Sequence, residues 1–299
     1  MKSFKANGKL LITGEYLILK GANGLAIPTN YGQLLTFEKN ENDPLLYWES
    51  LDENNLVWFS ATFDLKNSNV VRSSNNEKAR FIYNVLVSAS EFAAIKDQLC
   101  GRITTKLDFN KDWGLGSSST LIWSIASIFE IDPLKLHFHT SNGSGYDIVC
   151  AGTNKPITYK LGKNKQPIYQ KVDWNPIFKD EIQFIYLNNK QNSEAEVNRF
   201  MDSTILDKDI FEINQLTNSI IACEDLNEFE NSITEHENIV GKLLHKTPVK
   251  QKLFKDYPGA IKSLGAWGGD FILATRKNSF YFEQRGYNTV ISFNNMIKK

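Results

Sequence analysis

Nine residues, Asp112-Trp113-Gly114-Leu115-Gly116-Ser117-Ser118-Ser119-Thr120, run without a break into the apolar stretch Leu121-Ile122-Trp123-Ser124-Ile125-Ala126-Ser127-Ile128-Phe129. The apolar residues at 121, 122, 125, 128 and 129 follow helical spacing. The chain is therefore expected to leave a glycine and serine loop and enter a buried helix at once. Glycines let the backbone approach a ligand closely, and serines cap helices or offer hydroxyls. A helix start carries N–H groups without intrahelical partners and the positive end of the dipole, which suits a phosphate. Two readings stand at this point: a phosphate-binding loop, or a turn that simply caps a helix.

Composition narrows the function classes. A length of 299 residues allows two domains of roughly 150 residues each. Apolar residues make up 41% of the chain, ample for a core. Acidic and basic residues balance at 34 each, which excludes a global basic field for nucleic acid. Any anionic substrate must be held by a local cluster. The three cysteines, Cys100, Cys150 and Cys223, are scattered and odd in number, which argues against a disulfide framework or a zinc site. Met1-Lys2-Ser3-Phe4-Lys5 lacks the apolar core of a signal segment, and no apolar run approaches the ~18 residues of a membrane span. The expectation is a cytoplasmic protein acting on a small molecule, without nucleic acid or membrane, as a monomer or homodimer.

Strands and helices interleave along the chain, so the class is α+β or mixed α/β. Lys9 to Thr13 and Tyr16 to Leu19 read as buried strands joined at Gly14-Glu15. Strands are expected at Gln33 to Glu38, Leu45 to Trp48, Leu56 to Phe63 and Arg102 to Phe109. Ile157 to Lys160, Pro167 to Val172, Ile182 to Leu187 and Phe271 to Thr275 read the same way. Helices are expected over Asn76 to Ala94, from Glu194 onward, around Ile210 to Ala222, and over Leu226 to Leu244. His137 and His139 alternate as on a strand and, with no Cys or carboxylate at ligand spacing, read as structural. A domain change is placed near residue 180, giving domains 1–179 and 180–299.

Four separated segments resemble, in order, the motifs of the GHMP kinases. Lys9-Leu10-Leu11-Ile12-Thr13-Gly14-Glu15-Tyr16 resembles the first, a strand followed by Gly-Glu-His or Gly-Glu-Tyr. Gly114 to Ser119 resembles the second, the phosphate-binding Gly-Leu-Gly-Ser-Ser loop. Gly143-Ser144-Gly145-Tyr146-Asp147 is similar to the Ser-Gly-x-Asp element of mevalonate and phosphomevalonate kinases. Gly265-Ala266-Trp267-Gly268-Gly269 resembles the glycine-rich third motif. Gly145-Tyr146-Asp147-Ile148 resembles a bacterial branch of these kinases named after that tetrapeptide. The resemblance implies an α+β, two-domain fold: an N-terminal domain like ribosomal protein S5 domain 2, and a ferredoxin-like C-terminal domain.

It also implies roles. Gly114, Leu115, Gly116, Ser117, Ser118 and Ser119 would wrap the phosphates of ATP, with Ser118 reaching Mg²⁺ or a phosphate oxygen. Lys9 would neutralise charge on the transferred phosphoryl group; read alone, it is a solvated edge lysine. Asp147 would accept the acceptor's proton; read alone, it is a helix N-cap. Ser144, Gly145, Tyr146, Lys190, Ser193, Gly265, Gly268 and Gly269 would line the acceptor pocket. Glu15 is expected to shape its turn rather than perform chemistry. Trp267 and Asp270 depart from the family's all-glycine form, so a narrower pocket is expected there. Mevalonate kinases carry a glutamate ligand for Mg²⁺ shortly before the Ser-Gly-x-Asp element, whereas Leu134 to Gly145 contains no acid. The carboxylate metal ligand stays open, and so do a mevalonate diphosphate decarboxylase and a nucleotide-binding pseudokinase as alternatives to a mevalonate or phosphomevalonate kinase.

Overall fold

The computed structural model describes residues 1–93, 99–189, 200, 205–265, 267 and 269–298. The chain divides into two compact units. The first comprises 1–8, 31–111 and 115–152; the second comprises 9–30, 112–114 and 153–299. Two strands, β1 (Lys2–Leu11) and β2 (Gly24–Lys39), contribute residues to both.

In the first unit, β3 (Leu46–Leu51), β4 (Val57–Asp64), β5 (Asn69–Ser73) and β6 (Gly101–Leu107) join the later half of β2 in the order β5-β4-β3-β6-β2. Only the β3–β6 pair is parallel in that run. The parallel pair needs a long crossover, and α1 (Asn76–Ala93) lies on it. Burial alternates along β3: Leu46, Trp48 and Ser50 face inward, and Tyr47, Glu49 and Leu51 outward. The core combines Trp48, Phe59 and Phe63 with Val85 and Leu86 of α1 and with Ile122, Ile125 and Phe129 of α2 (Ser117–Phe129). Helix α2 thus buries the apolar stripe read from its sequence. It packs against α1, α3 (Pro133–Thr140) and α4 (Tyr146–Ala151).

Two expectations are corrected by the backbone. His137 and His139 lie on helix α3, not on a strand. The start signal is Asp132-Pro133: the Asp132 carboxylate accepts the Leu134 N–H at 2.9 Å, and proline suits a first helical turn. Tyr16 to Leu19 is likewise no strand. Gly14 (φ +84°) and Tyr16 (φ +61°) break the extended chain, and Leu17–Lys20 forms a single 3-10 turn. A short run of buried apolar residues looks the same in either state.

The second unit holds a four-stranded antiparallel sheet, ordered β10 (Ile261–Ser263), β11 (Phe271–Ala274), β9 (Gln183–Tyr186), β12 (Val290–Ser292). β11 is buried at every position, which fits its unbroken apolar sequence. Helices α5 (Asp207–Ala222) and α6 (Leu226–Leu244) pack on each other, and α6 also packs on β10. Asp225 caps α6 by accepting the Asn227 and Glu228 N–H groups. The first residues of β2 pair with β7 (Ile157–Leu161), which pairs with β8 (Pro167–Lys171). Short helices α7 (Val249–Leu253), α8 (Ser279–Glu283) and α9 (Phe293–Met296) complete the described elements. The helix expected from Glu194 onward lies outside the described residues except at Phe200. Among the described residues no helix is long and apolar enough to cross a membrane.

Candidate active site

In the first unit, α2 begins on Gly116, whose φ of +93° places it in the left-handed region natural to glycine. No side chain caps the helix, and the first intrahelical bond runs from the Thr120 N–H to the Gly116 carbonyl. The N–H groups of Ser117, Ser118 and Ser119 precede that bond, and no intrahelical carbonyl serves them. Helix α2 therefore starts as an anion cradle with its donors uncommitted to its own turns. The side chains divide sharply. Ser119 is buried and its hydroxyl donates to the Gly116 carbonyl at 2.8 Å; Thr120 donates to Gln33 Oε1 at 2.9 Å. Ser118 is exposed, and Leu115 is fully buried and presents only backbone.

The Gly143–Asp147 element is also in the first unit. Ser144 is buried, Tyr146 and Asp147 are half-buried, and Gly145 (φ +86°) is the N-cap of α4. Asp147 sits in the first turn and, among the described residues, its carboxylate accepts the Ile148 N–H at 3.1 Å. The reading of Asp147 as the helix N-cap is therefore replaced: Gly145 caps this helix, and Asp147 is an acid in its first turn. Helices α2 and α4 pack directly, with Trp123 Nε1 seated where Gly152 lacks a side chain.

In the second unit, Lys9 is half-buried and its ammonium donates to the Gly114 carbonyl at 2.8 Å. Gly114 (φ +67°) lies against the Asp270 carboxylate so closely that a Cβ would overlap it. The preceding residues are tied to the small sheet: the Tyr186 hydroxyl donates to the Asp112 carbonyl at 3.0 Å, and Trp113 meets Phe271 edge-on at 5.7 Å. The loop's first glycine is thus held by a cation on one side and an acid on the other. Asp270 had been singled out only as a departure from glycine.

The first-motif turn has anchors that sequence reading missed. Gly14, Glu15 and Tyr16 make buried polar contacts with three different segments, and Glu15 Oε2 also lies 3.4 Å from His236 Nε2. The Gly14 N–H donates to His236 Nε2 on α6 at 3.0 Å. Glu15 pairs with the ammonium of Lys262 on β10, both side chains wholly buried. The Trp267 N–H donates to the Tyr16 hydroxyl at 3.0 Å. Lys262 also donates to the Ser263 carbonyl at 3.0 Å, while Glu237 accepts from the Ser263 hydroxyl at 2.8 Å. Burial raises the Glu15 pKa to about 7 despite Lys262. Burial likewise raises that of Glu237, and it lowers that of His236 well below the ordinary histidine range, with Lys262 adding to the effect. His236 is thus the neutral imidazole that accepting from Gly14 requires.

Trp267 is a core side chain. Its indole is buried among Tyr16, Leu17, Ala22, Ile213 and Val240, over Gly241, where a Cβ would stand 2.8 Å from the ring. Gly265 (φ +64°) is half-buried with open space at its Cβ position, and Gly269 is buried. Gly268, Lys190 and Ser193 lie outside the described residues. Among the described residues no three His, Cys, Asp or Glu side chains gather as a metal site.

No family model and no curated protein matches the sequence. Solved structures do match. The mevalonate kinase of Methanococcus jannaschii is 14% identical, with a TM-score of 0.71 over 97% of this chain and 96% of that one. The phosphomevalonate kinase of Streptococcus pneumoniae, in complex with phosphomevalonate and AMPPNP, is 16% identical, with a TM-score of 0.69 over 96% of each chain. The galactokinase of Lactococcus lactis, complexed with galactose, is 13% identical, with a TM-score of 0.70 over 100% of this chain and 94% of that one. The chain has the fold of these three kinases, which is the fold that the resemblance of its four motifs implies.

The buried carboxyl of Glu15 carries a pH signature. Its pKa is about 7 folded against 4.5 in the open chain. A raised carboxyl pKa gives stability that is complete below the unfolded value and is lost as pH rises through the folded one. Glu15→Gln removes this dependence. Between pH 4.5 and 8, urea unfolding should show the variant gaining on the wild type by on the order of 3 kcal/mol. A constant difference across that range would show that Glu15 does not titrate.

Proposed function

We propose that this protein transfers the terminal phosphoryl group of ATP to a small acceptor, most specifically mevalonate or phosphomevalonate. The observation that carries the reading is the start of α2: a left-handed glycine, no side-chain cap, and three N–H groups ahead of the first helical bond. Backbone donors of Gly114 to Ser119 would hold the phosphates. A bound Mg²⁺ would offset the charge of the phosphates. Ser118, whose hydroxyl is exposed, is the residue proposed to reach it. Mg²⁺ commonly keeps waters and takes substrate phosphates, so a protein carboxylate cage is not required.

Lys9 already donates to the loop carbonyl at Gly114, which holds its charge at the loop's first residue. In the transfer, an acceptor oxygen bonds to the γ-phosphorus, the bond to the bridging oxygen breaks, and ADP leaves. A hydroxyl acceptor also loses a proton, and Asp147 would take it. A phosphate acceptor has no such need. Ser144, Gly145, Tyr146, Gly265 and Gly269, with Lys190, Ser193 and Gly268, are proposed to contact the acceptor. The two phosphorylated or hydroxylated acceptors are favoured over a neutral sugar by the match to the Gly143–Asp147 element.

Three substitutions test these roles. Gly116→Val puts a branched side chain in a left-handed position at the cradle, and nucleotide affinity should fall by ~10-fold or more. Unchanged AMPPNP binding by the folded variant would exclude this loop. Lys9→Met should lower turnover by ~10²-fold with little change in nucleotide affinity, because its charge acts mainly in the transition state. Kinetic constants near wild type would return Lys9 to an ordinary strand-end lysine. Asp147→Asn should abolish most transfer to mevalonate yet barely affect transfer to phosphomevalonate. Equal retention on both acceptors would remove Asp147 as the base.

A further inference from the structure

His137 lies on α3 and is 3% exposed. Neither ring nitrogen has a hydrogen-bond partner among the described residues. A neutral imidazole carries one donor and one acceptor, and buried polar groups in folded proteins are almost always paired. An imidazole buried with both nitrogens unpaired is a standing cost, which folding alone does not explain.

The ring faces the start of the Gly143–Asp147 element. A Cβ at Gly143 would stand 3.1 Å from both Cε1 and Nε2 of His137. Gly143 does not have the left-handed φ of Gly145, so its backbone conformation does not require glycine. The imidazole leaves a side chain there little room. Both histidine rings of α3 also pack edge-on against an aromatic ring, His137 on Phe138 at 5.2 Å and His139 on Phe92 at 5.0 Å.

We propose that His137 is an acceptor-binding residue whose imidazole N–H, unpaired in the free protein, hydrogen-bonds an anionic oxygen of the acceptor seated on Gly143–Asp147. This rests on the reading of that element as the acceptor site. It deepens that reading by requiring an acceptor bearing a carboxylate or phosphate. A neutral sugar would leave the N–H without a charged partner.

The test is calorimetric titration of the AMPPNP-bound protein with mevalonate, phosphomevalonate and galactose, using wild type, His137→Phe and His137→Asn, with melting temperatures alongside. His137→Phe keeps a flat ring and removes both nitrogens, so its melting temperature should hold or rise. Its AMPPNP affinity should match wild type, and its affinity for the anionic acceptor should fall by ~10- to 100-fold, the range for a lost bond to a charged group. His137→Asn keeps an N–H donor and should recover part of that loss. Wild-type affinity in His137→Phe would overturn the proposal. So would equal losses in both variants accompanied by lowered melting temperatures, which mark a packing role. If wild type binds AMPPNP but neither anionic acceptor, the proposal and the acceptor-site reading both fail while the nucleotide site stands. If it binds no AMPPNP, the kinase reading itself fails.

Discussion

One buried ion pair, Lys262 with Glu15, holds together the parts of the second unit that carry the first and third glycine motifs. Neither side chain touches solvent. Removing one partner of such a pair leaves an isolated charge in the interior, at a cost of several kcal/mol, whereas the pair itself adds little stability over a well-packed apolar alternative. Its value is positional. Glu15 stands between Gly14, bonded to His236, and Tyr16, bonded to Trp267. Three consecutive residues are thereby tied to α6, β10 and the third loop. The Lys9 strand enters this turn, so the ammonium at Gly114 inherits its location from a pair that makes no contact with the loop itself.

Much of the fold is readable in the sequence where the signal is local. Helix α6 spans the residues its periodicity gives, and α2 follows from apolar spacing behind a glycine loop. The two central strands of the small sheet, β9 and β11, announce themselves as apolar runs, whereas β10 and β12 do not. What stays hidden is long-range. Lys262 sits in Ile261-Lys262-Ser263, where a lone lysine in a short strand looks solvated; its partner is 247 residues away. His236 and Glu237 read as polar positions of an amphipathic helix, yet both are buried. Trp267 looked like an obstruction in a glycine loop because sequence gives no direction to a side chain. Tyr16 to Leu19 failed for a simpler reason, since four apolar residues suit a strand or a buried turn equally.

The candidate site follows the same division. Backbone features were accessible early, because glycines and a helix start leave marks at fixed spacing. The loop glycines do take left-handed conformations at 114, 116 and 145. Side-chain features were not. That glycine rather than Asp147 caps α4 is visible only in the folded backbone, and that the His137 nitrogens lack partners among the described residues only in the packed side chains. The fold is shared by a mevalonate kinase, a phosphomevalonate kinase and a galactokinase, so the fold alone does not choose among their substrates.

The contact between Gly114 and Asp270 puts two unlike constraints on one residue. Gly114 lies in the left-handed region, which disfavours any L side chain there. The Asp270 carboxylate also fills the space that a Cβ on residue 114 would take. The two positions are 156 residues apart in sequence yet share one small volume. Shortening residue 270 frees the space and leaves the backbone angle as it was. A side chain at 114 therefore stays costly even with glycine at 270, and repairing such a substitution from the far side of the contact restores only part of what it loses.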